Sequence, residues 1–135
     1  MKILAVDFDG VISDSALKSL FVSHNAYCQY FGSEVKKSFG GKLFTFENWE
    51  EMKRQYKKEM DDYHRLRSYI ELSGDFFVII KMMEEQVQIK DQREFIACRN
   101  QLQFDYQFFR ELFFREKEEW QKKSFKKWFF VTCFS

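Results

Sequence analysis

The chain has 135 residues, room for one domain with a sizeable core or for part of a larger enzyme. Its 22 basic and 21 acidic side chains leave a formal charge of +1, which provides no electrostatic footprint for nucleic acid or for an anionic membrane. Apolar residues make up 45% and aromatics 20%, which excludes disorder by composition, and no apolar run nears the ~18 residues of a bilayer span.

The first element is the run Ile3 to Val6, continuously apolar and closed by Asp7. Apolar residues without alternation read as a strand covered on both faces. Ser13, Asp14 and Ser15 offer capping oxygens, and Leu17, Leu20, Phe21, His24, Tyr27, Cys28 and Phe31 then recur at helical spacing. Gly32 suits the end of that helix. Residues 33–42 predict a loop or short helix broken by Gly40 and Gly41.

Asn48 and Glu51 have the spacing of a capping box, and Trp49, Met52, Tyr56, Met60, Tyr63, Leu66 and Ile70 predict one long amphipathic helix. The run from Asp75 to Met83 is apolar on nearly every side and predicts a buried helix. Asp91 and Glu94 repeat the capping signal, and helix is expected from there to about Lys123, with a break near Gln103. The chain contains no proline, so Gly, Ser, Asn and Asp set the boundaries.

Three cysteines, Cys28, Cys98 and Cys133, are odd in number and lack any CxxC pair, which points to a reducing, cytoplasmic setting. His24 and His64 are isolated and read as surface or partly packed side chains. The aromatic excess of the last third, Phe104 to Phe134, exceeds what helix stripes bury, so docking or self-association through it is expected.

The stretch AVDFDGVISDS carries chemistry. At a strand end residues i and i+2 point the same way, so Asp7 and Asp9 share one side, and Gly10 permits a sharp turn. An EF-hand loop starting at Asp7 is excluded because Lys18 stands at its twelfth position. The blander reading has these acids capping a helix and solvating a loop.

This stretch resembles the first signature motif of the haloacid dehalogenase superfamily, an apolar strand followed by DxDGxxxDS. Asp7, Asp9, Gly10, Asp14 and Ser15 match it, while Val11 replaces the common threonine. The resemblance implies an α/β fold: one amino-terminal strand of a Rossmannoid core in residues 1–15, a mostly helical cap over 16–123, and a tail, 124–135, returning toward the core. The stretch from Tyr63 to Glu85 also looks like cap helices of phosphatase-like members.

By the same resemblance Asp7 is the nucleophile toward a small phosphorylated substrate, forming an aspartyl phosphate. Asp9 is the general acid and base. Mg2+ is held by the Asp7 carboxylate and the Asp9 backbone carbonyl, Gly10 shapes the substrate loop, and Asp14 and Ser15 are structural. The family also needs a Ser or Thr ending a second strand, a Lys and later acidic residues. Thr132, after the apolar run Trp128 to Val131, is the one candidate for the first, and the others have none. The expectation is a truncated phosphohydrolase with little or no turnover, or else a helical interaction module keeping a relic motif.

Overall fold

The computed structural model describes the backbone of residues 15–32 and 38–134, with side chains through Ser124. Within it the chain forms six α-helices: α1 (Ser15–Phe31), α2 (Trp49–Gln55), α3 (Lys57–Arg67), α4 (Asp75–Glu85), α5 (Gln92–Gln101) and α6 (Tyr106–Phe134). A short 3-10 turn, Ser38–Gly41, lies between α1 and α2.

α1 packs chiefly on α6 and on α4, and α4 also packs on α3 and α5. The α1–α6 pairing is antiparallel: the Tyr30 hydroxyl accepts from the backbone N–H of Asp105 at 2.8 Å, while Phe21 stacks on Trp120 with ring centroids 5.2 Å apart. An aromatic core results. Phe77 lies parallel to Phe104 at 4.0 Å and edge-on to Phe109 at 5.3 Å, and Phe21 stacks on Phe44 at 4.6 Å. Leu20, Tyr27, Tyr63, Leu66, Ile79 and Phe95 complete it, all buried. Each buried large side chain of this kind contributes ~1.5–3 kcal/mol of transfer free energy, and tight ring pairs add to that.

The α/β architecture implied by the resemblance is overturned for the described residues, which form a helical bundle with no strand among them. The expected strand at 3–6 lies outside the described residues. The run Trp128 to Thr132, which looked like a second strand, continues α6 as helix to Phe134. The reason is cooperative. No glycine or proline follows Gly74, and adding residues to an existing helix makes one hydrogen bond each, whereas an unpartnered strand makes none.

Local signals mostly hold, with instructive exceptions. Asp91 caps α5, its Oδ1 accepting from the Glu94 N–H at 2.9 Å. Glu94 returns a bond to the N–H of Lys90. Asp105 does the same for α6, accepting from the Phe108 N–H at 3.0 Å, which makes the break before that helix sharp. Asn48 makes no capping bond into α2. Its Oδ1 instead accepts from the Thr45 N–H at 2.8 Å, closing a turn.

The single helix expected over 49–70 is two, parted at Tyr56, whose φ of −112° and ψ of 47° are not helical. Gly40 sits beside that break. Its φ is +63°, and a Cβ there would displace the Tyr56 hydroxyl, so any other residue would be strained. Phe39 also adopts positive φ, at 53°, held by complete burial between His24 and Phe44.

Candidate functional site

Asp7, Asp9, Gly10 and Asp14 lie outside the described residues. Ser15, the motif's last member, is the first residue of α1. Thr132 stands within the last turns of α6, on a helix rather than at a strand end.

Beyond Ser15, the first turns of α1 carry a polar seam. The Ser19 hydroxyl donates to the Ala16 carbonyl at 2.9 Å and meets the Tyr63 hydroxyl at 2.8 Å. The Ser23 hydroxyl donates to the Ser19 carbonyl at 2.6 Å. Burial pushes the Tyr63 phenol up to about 12, so it stays a hydroxyl and ties α1 to α3. Lys18 stands three residues after Ser15, half-buried on the same helical face, and partial desolvation lowers its pKa. Its i+3 offset from Ser15 is a relation that helix geometry makes legible in the sequence.

Deeper in the bundle, Asn25 and Glu116 lock three segments together. Asn25 Nδ2 donates to the Phe44 carbonyl and to Glu116 Oε2, both at 2.9 Å, while its Oδ1 accepts from the Phe44 N–H at 2.8 Å. Glu116 also accepts from Gln29 Nε2 at 2.7 Å and from the Trp120 indole N–H at 2.9 Å.

The register set by Asn25–Glu116 and Phe21–Trp120, carried on, brings Ser15 level with the backbone just after Ser124. The start of α1 and the α6 backbone just after Ser124 therefore lie at the same end of the α1–α6 pair.

His24 and Cys28 make the other chemically suggestive pair, with Sγ 3.5 Å from Nε2. The geometry is that of a thiol–imidazole dyad, but the electrostatics are wrong for one. Nε2 also lies 2.8 Å from the Lys42 carbonyl, and so carries the proton and donates, which leaves Nδ1 as a buried acceptor without a partner. Burial drives the His24 pKa down to about 4 and the Cys28 thiol up to about 12. Both stay neutral at pH 7, so the pair is packing rather than a nucleophile and base. His24 is fully buried, not the surface or partly packed residue its isolation suggested, while His64 is exposed.

Among the described residues no group of three His, Cys, Asp or Glu side chains is placed to hold a metal ion, and no helix is long and apolar enough to cross a membrane. The chain matches no family model, no curated protein and no solved structure.

Proposed function

We propose that this chain is the helical, cap-type part of a magnesium-dependent phosphate-monoester hydrolase, with slow or no turnover by itself. The observation that carries the reading is topological. The motif running from Asp7 to Ser15 leads directly into α1, and the antiparallel α1–α6 pair returns the chain to that same end. A module whose entry and exit are adjacent is what insertion beside a catalytic loop requires. Asp7 would attack the phosphorus and Asp9 would protonate the leaving oxygen, with Lys18 one helical turn away as a cation facing the phosphate. Bound Mg2+, held by the Asp7 carboxylate and the Asp9 carbonyl, would supply charge neutralisation. The family's lysine and later acidic residues have no assigned counterpart in these 135 residues, and full turnover would need both.

The test is hydrolysis of an aryl phosphate with Mg2+ by the full chain and by Asp7→Asn. Slow hydrolysis abolished by the substitution supports the reading, and measurable hydrolysis at equal rates in the two proteins ends it.

A second reading, a non-catalytic helical interaction module, is favoured by the exposure of Phe108 at 43% and Phe114 at 46% on the outer side of α6. Arg110 covers only part of that surface, at 5.4 Å from the Phe114 ring. Sedimentation velocity discriminates here. A monomer at high concentration argues against self-docking through these rings, and concentration-dependent association that Phe114→Ser removes supports it.

A further inference from the structure

A hollow of about 400 Å³ lies at the other end of the bundle, between the α3–α4 turn, the last turn of α5 and the first residue of α6. It is about 30 Å along α6 from the level of Ser15 and is independent of the phosphate-ester reading. Its size falls in the range that accepts a small organic molecule. The walls are Leu72, Val78, Phe104 and the ring of Tyr106, and the absence of a side chain at Gly74 lets that ring close in.

The polar groups of this hollow are unevenly used. Asp75, 1% exposed, has a settled structural role: its Oδ2 accepts from the N–H groups of Glu71 and Leu72 at 2.9 and 3.0 Å and from Arg99 Nη1 at 3.1 Å. Arg99 engages only Nη1, on Asp75 and on Glu71 Oε1 at 3.3 Å. Among the described residues no acceptor meets its Nε or Nη2, although its side chain is only 21% exposed. A guanidinium with an idle planar edge, set among apolar walls, is a receptor for an oxygen acceptor. Two carboxylates already flank that one cation, so an anionic ligand is disfavoured and a neutral one fits.

We propose that this hollow binds a small, flat, neutral molecule whose carbonyl or amide oxygen accepts from the free edge of Arg99 and whose ring lies against Leu72, Phe104 and Tyr106.

The experiment is saturation-transfer NMR on the full chain with benzamide, benzoate and benzylamine. Benzamide is expected to bind with a Kd on the order of 1 mM and the two charged analogues several-fold more weakly. Arg99→Lys keeps a cation beside Asp75 and Glu71 but lacks the planar donor edge, and should weaken benzamide at least about fivefold. Leu72→Trp fills the mouth from a position 59% exposed, so it leaves the core intact and should weaken binding similarly. No transfer to benzamide at about 10 mM, equal binding of all three probes, or unchanged binding to folded Leu72→Trp would each overturn the assignment.

Discussion

Replacing Asn25 by alanine strands both backbone polar groups of one buried residue, Phe44. In the native protein the Asn25 amide acts as a two-pronged clamp on Phe44, donating to its carbonyl at 2.9 Å and accepting from its N–H at 2.8 Å. Asn25 and Phe44 are each 2% exposed, so water cannot take over the lost bonds without opening the core. Each buried group left unsatisfied costs about 1–3 kcal/mol, and two of them with a small residual cavity come to about 3–4 kcal/mol. Glu116 loses one donor but keeps Gln29 and Trp120, so it adds little.

Urea unfolding followed by circular dichroism at 222 nm reads this directly. With a slope near 2 kcal/mol/M, the midpoint should fall by about 1.5–2 M. Asn25→Asp is the sharper variant, because it nearly preserves shape while turning a carboxylate toward the Phe44 carbonyl and Glu116. It should be at least as destabilised at pH 7. A loss below about 1 kcal/mol for Asn25→Ala would show that the 38–45 segment is not held by this clamp, and the account of the core would be wrong.

Acid should weaken the fold through His24. Its folded pKa of about 4 lies below the unfolded value near 6.5, so the unfolded state takes up a proton first, and stability present above pH 6.5 drains away as pH falls toward 4. The loss is about 3 kcal/mol, set mainly by burial, and His24→Gln should flatten that part of the stability–pH curve. Cys28, buried and with its thiol pushed up to about 12, should resist iodoacetamide in the native protein while the half-exposed Cys98 reacts, as peptide mapping by mass spectrometry will report. Asp91→Ala removes the cap of α5 and should cost about 1 kcal/mol in the same urea assay, with Asp91→Asn nearly silent.

Where one side chain acts on its own backbone neighbourhood, the sequence was readable. Asp91 caps α5, Gly32 ends α1 with a φ of +65°, and the apolar run of α4 is a buried helix as its composition suggested. Where two segments compete for the same group, it was not. Asn48 had the spacing of a cap but was drawn into the Thr45 turn. The stripe from Trp49 to Ile70 hid the break at Tyr56, because periodicity records which face is apolar and not whether the backbone stays helical between turns. Residues 86–91 read as a turn and α4 does end there, but the means went unsignalled. A non-glycine residue, Gln86, takes the left-handed conformation, and the Val87 N–H closes on the Met82 carbonyl.

The candidate sites divide along the same line. The motif from Asp7 to Ser15 is a matter of residue order and was visible at once, as was its direct run into a helix. The hollow beside Arg99 was invisible, because Leu72, Arg99 and Tyr106 are far apart in the chain and meet only through the packing of α3, α4, α5 and α6.

The amino-acid order by itself determined where most of the helical stretches lie, the cap of α5 and the position of the carboxylate motif, since these depend on interactions within a few residues. Only the tertiary structure decided that His24 and Cys28 are neutral core groups, and that Ser15 lies level with the backbone just after Ser124. Those outcomes rest on burial and on contacts between distant segments, and local sequence carries no record of which distant surface will exclude water from a given side chain.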